Sequence, residues 1–288
     1  ISFLDISTGS FLVAEGSADY IDKLLQSLNP KEVIFQKDKK RNFQDDFGDS
    51  FYTFMIDEWA FNTDYGTELL NKQFDTKSLK GFGISDLGNA IIAAGVALHY
   101  LNETQHNQTS HILKIRRIEE EKYVWMDKFT IRNLELFNSP NEGAISLIDI
   151  LDQTKSPMGG RMLRRWLALP LKDKAEIIQR HQIVEYLIQN NEHAKNVDNQ
   201  ISIIGDLERL ISKVSTLRIN PRECIRLRDA LASLTPIKEF CKKSSLKPLR
   251  KIGSSIDICN FIRLKIDTEI RENAPILLNK GNFINDGV

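Results

Sequence analysis

Ser2-Phe3-Leu4-Asp5-Ile6-Ser7-Thr8-Gly9-Ser10-Phe11-Leu12-Val13-Ala14-Glu15 is the stretch on which the fold of this chain turns. It holds two β-rich runs, Ser2 to Ser7 and Ser10 to Glu15, separated by Thr8-Gly9. Gly accepts the positive φ of a tight turn and the flanking runs are apolar and similar in length, so the spacing predicts an antiparallel hairpin. Ser17 then stands where a helix needs an N-cap, and Ile21, Leu24, Leu25 and Leu28 form one apolar stripe before Asn29-Pro30 ends it. Val33 to Phe35, inside the run Glu32 to Gln36, is the next strand and completes a βαβ unit, and Phe51 to Ile56 adds another. A mixed sheet flanked by helices is therefore expected over the first hundred residues.

Working outward, residues 65–74 suggest a short helix. Ser85 is placed to cap a longer one, on which Leu87, Ile91, Ala94, Leu98 and Leu101 recur at helical spacing to about Glu103. No apolar period crosses the polar stretch Asn102 to Ser110, which ends the first domain. From about Trp125 helical patterns dominate: Met158 to Leu167, stopped by Pro170, then 174–190 capped by Asp173, 200–215, 221–234 and 256–272, with the tail from Leu278 as loop or short strand. The chain thus reads as α/β followed by all-α, with an α/β domain over 1–106, a linker over 107–124 and a multi-helix domain over 125–288.

Size and composition agree. At 288 residues two cores are expected, and 41% apolar with 27% charged residues fits a soluble globular protein. No apolar run approaches the roughly 20 residues of a membrane span. Ile1 opens without an initiator Met or the basic and apolar regions of a signal peptide, so both ends read as cuts within a longer chain. The net charge of zero conceals an asymmetry: residues 1–110 carry 9 Lys and Arg against 16 Asp and Glu, the remainder 30 against 23. An acidic first half suits a protein partner better than duplex DNA, whereas the basic half can lie near phosphates without the dense patch of a dedicated DNA reader. Cys224, Cys241 and Cys259 lack CxxC spacing, so reduced buried thiols and a reducing compartment such as the cytoplasm are expected.

The chemistry-bearing motifs are weak. Gly81-Phe82-Gly83-Ile84-Ser85-Asp86-Leu87-Gly88 follows a helix instead of a strand and lacks the Lys-Ser/Thr of a P-loop, so it reads as a helix entry, and no GxxxxGK[ST] occurs anywhere. Asp5 on the first strand, with Asp57, Glu58 and Asp86, could form a two-metal site only if these carboxylates converge, and a turn-proximal Asp more commonly accepts local hydrogen bonds. His99, His106, His111, His181 and His193 include no i, i+4 pair, so HExxH-type zinc geometry is absent. On the helix at 158–167, Met162, Leu163, Trp166 and Leu167 form a stripe expected to be buried, leaving Arg161, Arg164 and Arg165 to reach acids such as Asp149 or Asp152. No catalytic, cofactor, metal or DNA-contacting residue is assigned from sequence.

Several of these segments, in order, resemble the MutS family. Leu4 to Phe11 resembles the opening hairpin of its connector domain, with Ser10 where Glu is usual, and Gly81 to Leu101 the closing helix. Thr130 to Leu136 resembles the start of the core domain, with Ile131 where Arg is frequent. Leu147 to Thr154, Met158 to Leu171, Asp206 to Leu210 and Asn220-Pro221-Arg222 continue it. The resemblance implies an RNase H-like connector followed by the first part of a helical core, a non-catalytic central section of a larger protein. It implies that the mismatch-reading domain with its Phe-x-Glu motif, the levers and DNA clamp, and the ATPase that binds ATP and Mg lie elsewhere, with the chain continuing past Val288. The whole would be a cytoplasmic homodimer on mismatched double-stranded DNA whose connector receives MutL, and residues 102–110 would be the hinge of the relay. Three other readings stay open: a recombination-linked relative, an RNase H-like nuclease with a helical appendage, and a general helical interaction module. The relative that suppresses recombination lacks the connector, which the Leu4 to Phe11 hairpin opposes.

Overall fold

The computed structural model describes residues 1–105, 109–139 and 143–287. His106 and Val288, and residues 107 and 108 of the expected linker, lie outside that set. Strands β1 (Ser2–Asp5) and β2 (Ser10–Val13) form the antiparallel hairpin expected, with Phe3 opposite Leu12 and Asp5 opposite Ser10. Gly9 adopts φ +70°, and a Cβ there would lie 2.5 Å from the His111 carbonyl oxygen, so the turn requires glycine twice over. Helix α1 (Ala18–Leu28) starts at Ser17, whose hydroxyl accepts from the Tyr20 N–H, and ends on Asn29 in the left-handed region. β3 (Val33–Gln36), α2 (Lys40–Phe47), β4 (Thr53–Ile56), α3 (Thr63–Gln73) and α4 (Gly88–Gln105) follow. The period-2 pattern of β2 explains the layering. Phe11 and Val13 pack with Leu70, Ala94, Leu98 and Leu101, while Leu12 and Ala14 pack with Tyr20 and Leu24 of α1.

The structure departs from expectation in four places here. β3 pairs parallel with β4 and does not join the hairpin's sheet. Residues 109–124 are not a bare linker: β5 (Ile115–Arg117) runs parallel to β2, because Ile112, Ile115 and Ile118 are all buried and draw the segment onto the sheet. Helix α2 is unanticipated, its short polar sequence holding only partly buried Phe43 against Phe35 and Phe47. The long helix begins at Gly88 and not at Ser85, and its capping group comes from the segment just after β2: the Glu15 carboxylate accepts from the Ala90 N–H at 3.1 Å.

The remainder is helical: α5 (Lys128–Asn133), α6 (Leu147–Leu151), α7 (Pro157–Ala168), α8 (Lys174–Gln189), α9 (Asn191–Ile204), α10 (Leu207–Ser215), α11 (Pro221–Lys243), α12 (Lys247–Ser255) and α13 (Asn260–Glu269). The run expected over 200–215 is two helices, broken where Gly205 takes φ +61° and Asp206 caps α10. Pro236 sits inside α11 instead of ending it. Losing a backbone donor there costs about 3 kcal/mol, and the buried face of Ile225, Ala230, Leu231, Ile237 and Cys241 offsets that. The tail forms one isolated bridge, Ile270 with Ile284. Two compact units result. The first is Ile1–Asp149 with Leu167–Pro170, α/β for most of its length, and the second is Ile150–Trp166 with the chain from Leu171 onward, all-α.

Candidate functional site

The hairpin turn is where sequence placed its only plausible catalytic group. Asp5 accepts from the Ser7 N–H at 2.9 Å, the Ser7 hydroxyl at 2.7 Å and the Thr8 hydroxyl at 2.9 Å, so both carboxylate oxygens serve the turn. The other three carboxylates are elsewhere: Asp57 faces Lys37 at 3.7 Å, Asp86 pairs with Arg117 at 3.0 Å, and Glu58 opens a 3-10 turn over Glu58–Ala60. Among the described residues no three His, Cys, Asp or Glu side chains gather as metal ligands. The Gly81–Gly88 segment is a 3-10 turn over Leu79–Phe82 followed by Gly83 at φ +68°, a helix entry without phosphate-cradle geometry.

What the structure does build around the hairpin is a clasp from the segment after α4. His111 is buried, its Nε2 lies 2.6 Å from the Ile6 carbonyl oxygen, and its Nδ1 is buried without a partner. The Ile6 carbonyl oxygen can only accept, so Nε2 carries the proton in that contact. Gln73 of α3 fixes the same segment three times: its amide donates to the carbonyls of Thr109 (2.8 Å) and Ile112 (2.9 Å) and its oxygen accepts from the Thr109 hydroxyl at 2.9 Å. The described ends of the 102–110 stretch are therefore the end of α4 and a loop held by Gln73, while residues 106–108, in the middle of the expected hinge, lie outside the described residues. Sequence reasoning missed Gln73 and Glu15 because a single polar side chain bonding a backbone 36 or 75 residues away leaves no periodic trace.

The first unit also presents a face of exposed aromatics. Tyr52 is 74% and Trp59 59% exposed, beside the half-exposed Phe54 and Met55. Trp59 is held in place, its ring 5.1 Å from that of His99 and 5.4 Å from Tyr65, while the Tyr65 hydroxyl meets His99 Nδ1 at 3.0 Å. Burial pushes the Tyr65 hydroxyl above the usual tyrosine range, with Glu103 adding to it. Trp59, held by its neighbours and directly following Asp57 and Glu58, offers an exposed aromatic of the kind that protein partners use.

In the second unit Arg161 and Arg228 are occupied within the chain. Arg161 forms a two-pronged pair with Asp206 at 2.9 and 2.7 Å and meets Glu208 at 2.6 Å, not the expected Asp149 or Asp152. Those two carboxylates are taken by Ser146 and by Thr154. Arg161 holds the Asp206 carboxyl below its usual range. Arg228 bridges Asp229, Asp267 and Glu272, tying α11 to α13. The stripe expected to be buried on α7 is largely open: Met162 and Trp166 are exposed, and the Arg180 guanidinium lies 3.6 Å over the Trp166 ring. His181 is exposed and the His193 ring sits 5.8 Å from Phe240. The three cysteines are free thiols, Cys241 buried and Cys224 and Cys259 half-buried, with burial pushing Cys224 and Cys241 up.

Comparison with known proteins gives this arrangement its context. The description MutS domain II matches residues 1–113, and MutS domain III matches residues 129–286, more than half of the chain. The chain belongs to the MutS family. It is 51% identical over all 288 residues to the DNA mismatch repair protein MutS of Flavobacterium psychrophilum, 51% to that of Flavobacterium johnsoniae and 48% to that of Bacteroides thetaiotaomicron. In each case it spans 33% of the relative, so it covers about a third of the length of the MutS proteins it matches. The MutS domain II match contains the hairpin, Gln73, His111 and the aromatic face, and the MutS domain III match contains the Arg161 and Arg228 clusters. β5 falls between the two matches, a part of the first unit's sheet that neither covers.

Proposed function

We propose that this chain is the connector and the first part of the core of a mismatch-repair protein, and that it transmits between sites without performing chemistry. The observation that carries this reading is the alignment to mismatch-repair MutS proteins at about half identity from the first residue to the last. On this reading the connector occupies roughly 1–106 and the core extends from 125, and the complete protein is a cytoplasmic homodimer on mismatched duplex DNA. ATP and Mg act in a part of the polypeptide beyond these residues, and MutL docks on the acidic connector. The exposed aromatics Tyr52, Phe54 and Trp59 are the part of the connector best suited to that partner, and Phe54 and Trp59, held by neighbouring rings, lose little entropy on binding. Among the described helices none is long and apolar enough to cross a membrane.

The pinned segment at 109–112 supports a rigid-body relay in which the connector moves as one piece, in place of a soft joint at 102–110. The test is direct. The purified 288-residue chain should neither hydrolyse ATP nor cleave duplex or RNA–DNA hybrid with Mg or Mn. The full-length protein should hydrolyse ATP and bind mismatched duplex, and lose MutL capture in the double variant Tyr52→Ser, Trp59→Ser. Metal-dependent cleavage by the chain that disappears in Asp5→Asn would establish the nuclease reading instead.

A further inference from the structure

β4 ends its sheet, since it pairs with β3 and, among the described residues, with no other strand. Val33 donates to the Tyr52 carbonyl at 2.9 Å, so the parallel ladder turns the backbone groups of Tyr52, Phe54 and Ile56 towards β3. The N–H and C=O of Thr53 and Met55 are thereby turned to the outer side, on an edge where Thr53, Phe54 and Met55 are all exposed. Open edges of this sort are templates for pairing with another chain, and proteins blunt them with a charge or a proline. β5, the end strand of the other sheet, is blunted in that way by Arg116 and Arg117. β4, Thr53-Phe54-Met55-Ile56, carries neither.

The surroundings of the strand select the charge of what pairs with it. From Asn42 to Asn71 the sequence holds seven Asp and Glu and not one Lys or Arg. Asp57 and Glu58 follow the strand directly, and Asp49 lies shortly before it. Of these carboxylates only Asp57 pairs with a cation among the described residues, Lys37 at 3.7 Å, with both side chains exposed. An acidic strand would be repelled here, whereas a basic one is drawn in and keeps its charges in water at the rim. The side chains of β4 set the spacing. Tyr52 and Phe54 share one face, where the Phe54 ring lies 4.8 Å from that of Tyr100, and Met55 stands on the other. A strand laid alongside therefore finds an aromatic ring beside every second side chain.

We propose that β4 is a docking edge: an extended segment of a partner protein, with Lys or Arg alternating with apolar side chains, pairs with Thr53 and Met55 as a third strand beyond β4. Backbone pairing supplies the affinity, and the charges choose the partner. This deepens the reading of the exposed aromatics as a protein-docking surface and rests on it, without depending on which protein docks.

The probe is a synthetic nine-residue peptide of alternating lysine and valine. It is titrated into the full-length protein by fluorescence anisotropy, with hydrogen exchange reading the amides of Thr53 and Met55. The peptide should bind and slow exchange at both, with the Leu12 amide unchanged. The same peptide with glutamate in place of lysine should bind about tenfold more weakly, and added salt should weaken the lysine peptide. Met55→Pro removes one outward donor without touching the ladder to β3 and should also weaken binding about tenfold, whereas Met55→Val should bind like the parent. A lysine and valine peptide with every backbone amide N-methylated should fail to bind, which tests strand pairing with the protein itself unaltered. Binding that survives N-methylation, is indifferent to Met55→Pro, is matched by the glutamate peptide or leaves Thr53 and Met55 exchanging as before overturns the proposal. So does the absence of binding, and so does protection of those amides before peptide is added, which means that a second copy or the protein's own chain already holds the edge. MutL capture that still depends on Tyr52 and Trp59 while the peptide fails strikes the strand pairing alone and leaves the docking reading standing.

Discussion

Arg161→Ala isolates the strongest polar contact of the second unit. The guanidinium makes two charged hydrogen bonds to Asp206, whose side chain is only 18% exposed, and a third to Glu208, which is 52% exposed. A hydrogen bond to a charged group is worth about 1.5–3 kcal/mol when shielded, whereas the exposed Glu208 partner adds under about 0.5 kcal/mol. The two Asp206 bonds share one carboxylate and are not additive, so the expected loss is about 2–3 kcal/mol. Arg161→Lys keeps the charge but not the two-pronged geometry and should lose about half of that. Acid sharpens the test. The Asp206 pKa is depressed in the folded state chiefly by its bond from Arg161, so the stabilisation is complete above the unfolded value of about 4 and is lost as pH falls through the folded value. Urea unfolding followed by far-UV circular dichroism should show a constant gap between parent and Arg161→Ala from neutral pH to about pH 5 that narrows in stronger acid. A gap under about 0.5 kcal/mol at neutral pH, or one that widens in acid, refutes the reasoning.

Other consequences concern the first unit. A Cβ on Gly95 would lie 2.4 Å from the Gly66 Cα where α3 meets α4, so Gly95→Ala should cost more than about 2 kcal/mol, against little change for Gly88→Ala, which faces open space; thermal unfolding compares them. Tyr20 has a buried hydroxyl without a partner, so Tyr20→Phe should stabilise by about 1 kcal/mol. Burial pushes the Tyr20 hydroxyl up to about 12, with Glu120 adding to it, so stability in the parent should fall as pH rises above 10, and Tyr20→Phe should remove part of that fall.

Legibility followed range. The hairpin, α1, α3 and most helices of the second unit could be read because turn glycine, Ser17, Asp173 and 3.6-residue spacing act within a few residues. β5 was unreadable as a strand because its three residues, Ile115 to Arg117, gain their place from burial of Ile112 and Ile118 against a sheet formed a hundred residues earlier. Pro236 misled because burial of α11 outweighs one missing donor. Asp5 is legible as a turn acceptor because an Asx turn is local chemistry, whereas Arg161 pairs with Asp206 and not with Asp149, nearer in sequence, a choice set by where α10 lies against α7. Family membership was visible in short segments because their order and spacing persist even where single residues differ.

The central claim is that the connector moves as one pinned body that passes ATP state to DNA. Stopped-flow measurement of ATP-triggered release from a mismatched duplex, in the full-length protein and its Gln73→Ala variant, tests it most directly. Removing the three bonds from Gln73 to Thr109 and Ile112 should leave DNA-free ATP hydrolysis within about twofold of the parent and slow release by about fivefold or more, as expected for coupling energies of about 1–3 kcal/mol. Release kinetics identical to the parent, with the 109–112 amides shown by hydrogen exchange to be loosened, would contradict it.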